Sequence, residues 1–399
     1  MPVLDGYVHP DHAGVASTLL AQIPRDEPGG AAVCVIHEGR VVVDVWGGTR
    51  DRDGSPWLEN TTAPCFSTTK GVLATLVHIL VDQGLADYSD PVAKHWPEFA
   101  AEGKDRITIR QVLCHQAGLH RMSEMASSPR DMLDWDRMVA RIAAARPAWP
   151  PGSASGYHAL TWGWLTGGLV EAIAGAPLRQ VLREQLVEPL GLDGAFIGMP
   201  EAELPRRARL IHDDGISHPR VRSTEGVRAR VRRATEAVLR RCGVDLAEFR
   251  AALMPFDEPF DWNAEETVRA VIPAANGQFT ARSLARMYAM LAEGGELDEV
   301  RIVSRRRVDA MGEVCSRSRD RVLMLPMHWR PGFHRVFAFG ARVPDGFGHF
   351  GYGGSGAWCD PVRRLSVALT LNSGVGTPVG DLRIARISRA AVRAVDRVR

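Results

Sequence analysis

Apolar, β-branched runs stand at both ends of this chain with helical patterns between them, and this arrangement most limits the folds it can adopt. Near the N-terminus, Ala31–Ile36 and Val41–Trp46 flank His37-Glu38-Gly39-Arg40, which reads as a β-hairpin. Strand patterns return at Val336–Phe339, Gly356–Cys359 and Leu365–Leu371, followed by a helix from about Val379 to Val398. Between them, helical patterns broken by Pro and Gly cover Pro91–His95, Thr108–His115, Pro129–Ala145 and Leu160–Ala174. Strands so far apart in sequence imply one sheet assembled from both chain ends. The expected organisation is an α/β unit formed by residues 1–84 and 271–399, a helical unit over 85–200, and a helical insertion or cap over 201–270.

Composition excludes several classes. With 45% hydrophobic and 24% charged residues the chain has an ordinary globular balance, and a net charge of +2 gives no reason to expect a nucleic-acid partner. The densest basic stretch, from Arg220 to Arg241, interleaves with Val227, Val231, Ala234 and Val238 and reads as a solvated helix face. No apolar run is long enough for a membrane span, and Met1-Pro2-Val3-Leu4-Asp5 is too polar to open a secretory signal, so the expected location is cytoplasmic. The six cysteines show neither Cys-x-x-Cys nor metal-ligand spacing and read as reduced core thiols. His9 and His12 lack a third ligand at matching spacing, so neither a metal nor any other cofactor is expected.

The chemistry centres on Cys65-Phe66-Ser67-Thr68-Thr69-Lys70, at the head of an apolar helical pattern that runs to about Gly84. Of 49 cationic side chains only Lys70, Lys94 and Lys104 are lysines, so a lysine raises the question of what an arginine could not do there. Arginine cannot release its proton, whereas a desolvated lysine can become neutral and accept one from a serine hydroxyl. On a helix Ser67 and Lys70 share a face one turn apart. A four-residue match is weak alone, since an N-capping serine followed by an exposed lysine gives the same string. Three further segments add weight: Leu113-Cys114-His115-Gln116-Ala117-Gly118-Leu119; Pro151-Gly152 leading to Tyr157-His158-Ala159; and the glycine-rich Gly348-His349-Phe350-Gly351-Tyr352-Gly353-Gly354-Ser355-Gly356.

In this order, together with Trp96-Pro97-Glu98-Phe99 and Asn276-Gly277 before Ala281-Arg282-Ser283, these segments resemble the serine β-lactamase-like hydrolases: class C β-lactamases, DD-peptidases and above all family VIII carboxylesterases. The resemblance implies an antiparallel sheet flanked by helices and packed on a helical domain, with the active site between them. It also implies a Ser67 nucleophile, with Lys70 and Tyr157 moving its proton and the phenol acidified by the nearby ammonium. The backbone N–H groups of Ser67 and Tyr352 would form the oxyanion hole, and His349, Phe350 and Gly351 would contact substrate. The family's Tyr-x-Asn becomes Tyr157-His158-Ala159, and its Lys-Thr-Gly becomes His349-Phe350-Gly351, with an imidazole expected to titrate near neutrality. Both changes favour esters over β-lactams, and Trp149, Trp162, Phe350, Tyr352 and Trp358 are expected to supply an apolar lining. The implied substrate is a small-molecule ester, and self-association into a homo-oligomer is compatible with the sequence. An acyltransferase using the same acyl-serine, a weak β-lactamase or DD-peptidase, and a non-catalytic penicillin-binding-like module are the alternatives. An α/β-hydrolase centred on Gly353-Gly354-Ser355-Gly356-Ala357 is disfavoured because no histidine follows Asp360.

Overall fold

The computed structural model describes residues 3–211, 246–253, 256, 258–374 and 381–398. The basic stretch from Arg220 to Arg241 and Cys242 lie outside the described residues. Strands β1 (Leu4–Val8), β2 (Gly30–His37), β3 (Arg40–Gly48), β4 (His334–Arg335), β5 (Phe347–Phe350), β6 (Gly356–Asp360) and β7 (Leu365–Leu371) form a seven-stranded antiparallel sheet in the order β1-β3-β2-β7-β6-β5-β4. The β7–β2 pairing, with Leu365 opposite His37 and Leu371 opposite Ala31, joins the two chain ends in the middle of the sheet.

Alternation along the central strands explains why they are buried throughout. Val33 and Val35 of β2 and Val367 and Leu369 of β7 face one layer, formed by helices α1 (Ala13–Leu20) and α6 (Arg383–Val398). Cys34, Ile36 and Ala368 face the opposite layer, against α5 (Ala281–Ala292), where Ser366 Oγ donates to Ala285 O at 2.9 Å. Beyond α5 lies α2 (Thr69–Asp82), buried at every position but Asp82 and packed against α4 (Thr161–Ala174). A helix apolar on all sides must sit inside the molecule, and this one carries Lys70 in its first turn.

Several expectations shift. The strand anticipated at Val336–Phe339 is instead the two-residue β4, and residues 336–339 leave the ladder to line a cleft. The pattern over Pro129–Ala145 divides into a 3-10 turn, Pro129–Leu133, and the helix α3, Trp135–Ala144, which Asp134 caps by accepting from the Arg137 amide. Of the insertion, helical structure is described at Glu201–Arg206, Leu246–Leu253 and Glu265–Arg269. The reduced-thiol expectation is wrong for two residues, because Cys114 and Cys315 form a disulfide across 201 positions, while Cys34, Cys65 and Cys359 are free and buried. No described helix is long and apolar enough to cross a membrane.

Candidate active site

Ser67 lies in a 3-10 turn, Phe66–Thr68, immediately before α2, so it is no N-cap. Phe66 has φ +42°, a left-handed conformation that costs a non-glycine residue energy and redirects the chain between the short strand Ala63–Pro64 and the helix. Edge contacts to Trp262 and Tyr352, with ring centroids 5.3 and 5.6 Å away, hold its side chain. Backbone ties fix the same turn: Cys65 N donates to Gly277 O at 2.9 Å, and Thr69 Oγ1 accepts from Gly277 N at 3.2 Å. Asn276, part of the Asn276-Gly277 pair, is buried and bonds Thr267 O, Ala270 O and Ile272 N, so it braces this turn and does not face a ligand.

Two side chains converge on Ser67 Oγ: Lys70 Nζ at 2.9 Å and Tyr157 Oη at 2.6 Å. Lys70 also donates to the carbonyls of Ala159 at 2.6 Å and Ala274 at 3.1 Å, two partners that no sequence signal announces because any residue has a carbonyl. Burial without a carboxylate partner lowers its pKa well below that of an ordinary lysine. A neutral amine has two N–H bonds and one lone pair. In the neutral form, with both N–H groups taken by these carbonyls, the lone pair would face the serine hydroxyl, as a proton acceptor requires.

The expected acidified phenol is not found. Burial raises the Tyr157 pKa, and the hydrogen bond to Ser67 offsets this only in part. Lys70 Nζ lies 5.0 Å from the Tyr157 ring centroid, but the burial that lowers the lysine's pKa disfavours the charge that would draw out the phenol proton. Tyr157 is held by a parallel stack on Trp329, with centroids 5.6 Å apart, and by Asp320, which accepts from the Tyr157 amide at 3.1 Å and from the Trp329 indole at 2.8 Å. Next to it, His158 accepts from Leu119 N at 2.9 Å and donates to Gly156 O at 2.7 Å, and burial lowers its pKa to about 3. His115, in the second segment, accepts from His158 N at 3.2 Å and stays neutral for the same reason.

The glycine-rich segment clamps onto the serine turn. Ser355 Oγ donates to Cys65 O at 3.0 Å, so this serine is a buried strut, which disposes of the α/β-hydrolase alternative. A Cβ on Gly351 would lie 2.3 Å from Cys65 O, and Gly353, with φ +80°, makes the turn between β5 and β6. His349 does not titrate near neutrality as expected, because burial and the neighbouring His334 push its pKa well down. Its ring lies 4.8 Å from that of His334 and 6.2 Å from that of Tyr157, and Nε2 has no hydrogen-bond partner among the described residues. Ser67, Tyr157, His349, Phe350, Gly351 and Tyr352 all line one cleft of about 1260 Å³. Of the five expected aromatic lining residues only Phe350 and Tyr352 reach it. Trp162 donates to Val112 O in the core, Trp358 bonds Ser388 beneath the sheet, and Trp149 stacks on His120. The rest of the wall comes from 308–347, of which the sequence marked only Val336–Phe339, from Pro361, Val362, Asp381, Leu382, Ile384 and Ala385, and from Leu253 of the insertion.

A half-buried serine bonded to both a lysine and a tyrosine stands at a helix start beside a clamped glycine turn. The family described as Beta-lactamase matches residues 20–391. The chain belongs to the beta-lactamase family. It is 39% identical over 374 residues to esterase/beta-lactamase LipL of Mycobacterium tuberculosis (strain ATCC 25618 / H37Rv), covering 92% of this chain and 82% of that protein. Among solved structures it superposes on a penicillin-binding protein homologue from Caulobacter crescentus with a TM-score of 0.84 at 36% identity, over 98% of this chain and all of the other. A family VIII carboxylesterase gives the same TM-score at 32% identity, over 98% and 100% of the two chains. The fold is therefore that of the β-lactamase/transpeptidase-like proteins.

Proposed function

We propose that this member of the beta-lactamase family is a serine carboxylesterase that works through an acyl-serine on Ser67. The observation that carries the reading is the pair of hydrogen bonds at Ser67 Oγ, to Lys70 at 2.9 Å and from Tyr157 at 2.6 Å, combined with the burial that lowers the amine's pKa and raises the phenol's. Neutral Lys70 takes the Ser67 proton as Oγ attacks the ester carbonyl, and the resulting ammonium is held by Ala159 O and Ala274 O. The N–H groups of Ser67 and Tyr352 receive the developing oxyanion, and the Ser355–Cys65 hydrogen bond ties together the two segments that carry them. Tyr157 gives its proton to the departing alkoxide and regains one from Lys70. Water then repeats the sequence on the acyl-serine, releasing the acid and restoring the hydroxyl.

Esters are favoured over β-lactams because Ala159 carries no side-chain amide and His349 supplies no fixed cation. The esterase named among its relatives and the family VIII carboxylesterase neighbour support the same choice. The test compares p-nitrophenyl butyrate with a chromogenic cephalosporin. We expect kcat/KM to favour the ester, with no turnover by Ser67→Ala and a loss of at least about 10²-fold in Lys70→Arg, which keeps charge but cannot become a base. Substantial ester turnover by folded Ser67→Ala overturns the reading.

A further inference from the structure

The cleft that holds Ser67 and Tyr157 is walled by a segment with an unusual charge balance. Residues 315–342 contain Arg317, Arg319, Arg321, Arg330, Arg335 and Arg342, with Asp320 as the only acid. Asp320 is buried and committed to neutral donors, the amides of Tyr157, Val322 and Leu323 and the indole of Trp329. Among the described residues none of the six arginines has a carboxylate within 4.0 Å. Elsewhere arginines are commonly paired, as Arg282 is with Asp44 and Glu59.

Four of the six, Arg317, Arg330, Arg335 and Arg342, line the cleft. Arg330 is structural, buried and bonded to the carbonyls of Gly312, His328 and Pro344. Among the described residues Arg317 and Arg335 have no such anchor. Arg335 lies over the Phe337 ring, 4.6 Å from its centroid, and its Nε is buried without a hydrogen-bond partner among the described residues. Partial burial, and after it the neighbouring Arg335, Arg317 and Arg330, hold the His328 pKa down. Three carboxylates also line the cleft, but Asp381 is held by Arg383, and Asp309 and Asp345 are exposed.

The cationic wall continues into the reacting centre. Trp329, between His328 and Arg330, stacks on Tyr157, and His334, next to Arg335, packs on His349. The same cleft also gathers apolar side chains that water would otherwise cover: Leu325, Phe339, Val362 and Leu382 are each about two-fifths exposed or more and all line it. Such a grouping of exposed apolar residues marks a binding surface. A cleft with a nucleophile at one end, an apolar wall and uncompensated guanidinium groups matches a ligand that is apolar along its length and anionic at a distance from the reacting bond.

We propose that the preferred substrates are esters bearing a remote anionic group, a carboxylate, phosphate or sulfate, which seats against Arg317 and Arg335 while the connecting chain lies on the apolar wall. This rests on the esterase reading above, and it places the anion-binding cation away from position 349.

The experiment uses the whole protein and two pairs of soluble probes. In the first, the mono-p-nitrophenyl ester of octanedioic acid is compared with its methyl-capped form, so that charge differs on the acyl side. In the second, 4-carboxyphenyl octanoate is compared with 4-(methoxycarbonyl)phenyl octanoate, so that charge differs on the alcohol side. The expected result is a preference of about tenfold in kcat/KM for the anion in at least one pair, falling about threefold or more in Arg317→Gln and in Arg335→Gln and shrinking as salt rises to about 0.5 M. Arg335→Lys should retain more of the preference than Arg335→Gln, which separates charge from a packing role over Phe337. The pair that shows the preference tells which side of the ester carries the anion. No preference in either pair, or one that neither variant moves, overturns the inference while neutral-ester turnover by the wild type leaves the esterase reading standing. Loss of all ester turnover and acylation in the wild type would instead remove the reading beneath it. A preference present only above the probes' aggregation concentration would also overturn it, in favour of a lipid surface.

Discussion

Lowering the pH from 7 to 5 should remove a large part of the folding free energy, because several histidines are buried in neutral form. Burial lowers the pKa of His78 to about 3, of His158 to about 3 and of His334 to about 4. Each is committed to partners that want the neutral ring: His78 to Pro331 O and the Tyr88 hydroxyl, His158 to Leu119 N, and His334 to Phe350 N. In the unfolded chain all three titrate near 6.5. Between the folded and unfolded values the unfolded state binds the extra protons, so stability rises with pH and is lost as pH falls through this window. At pH 5 the unfolded side gains about 2 kcal/mol per histidine relative to pH 7, on the order of 6 kcal/mol for the three. Burial raises the pKa of Asp44 and Asp320, which works in the opposite direction, while the depressed carboxylates Asp90, Asp131 and Glu248, each at about 2, lose their contribution only at still lower pH. Urea unfolding at pH 7 and pH 5, followed by far-ultraviolet circular dichroism, reads the difference. A loss of several kcal/mol is expected. Equal unfolding free energies at the two pH values would refute the assignment of these rings as buried and neutral.

Tyr157→Phe should lower kcat by about 10²-fold or more with little change in KM, since it removes the proton donor while keeping the stack on Trp329, and steady-state kinetics on p-nitrophenyl butyrate checks this. Gly351→Ala should abolish turnover and lower the melting temperature, because its Cβ would meet Cys65 O at 2.3 Å and force the glycine turn off the serine turn. For the cysteines, alkylation in denaturant without reductant should label Cys34, Cys65 and Cys359, with Cys114 and Cys315 labelled only after reduction, as peptide mass spectrometry would show. Activity should rise with pH through the lowered pKa of Lys70, because the free amine is the base, and the rising limb should vanish in Lys70→Arg.

What could be read from the sequence was what is local. The hairpin of β2 and β3, the strand Leu365–Leu371, and the Ser67–Lys70 spacing each lie within one stretch of chain, and the glycine-rich turn announced its close approach through residues that lack side chains. Features set by distant partners left no local trace. Strand β1 hides because its central residues Asp5, Gly6 and Tyr7 are exposed on a sheet edge and show no apolar alternation. The Cys114–Cys315 bond, the Asp320 brace on Tyr157 and the carbonyls that hold Lys70 join positions 89 to 204 residues apart. The phenol was expected to be acidic because a nearby ammonium was assumed. Burial raises the phenol's pKa and lowers that lysine's, and the sequence carries no measure of burial at one position.

The central claim is that Ser67 becomes covalently acylated, and intact-mass measurement tests it most directly. Rapid acid quenching after mixing with p-nitrophenyl butyrate, followed by peptide mapping, should show a single butyryl group on the peptide containing Ser67 and none in Ser67→Ala. An adduct on another residue, or full turnover of the ester with no acyl-enzyme at any quench time, would contradict the account.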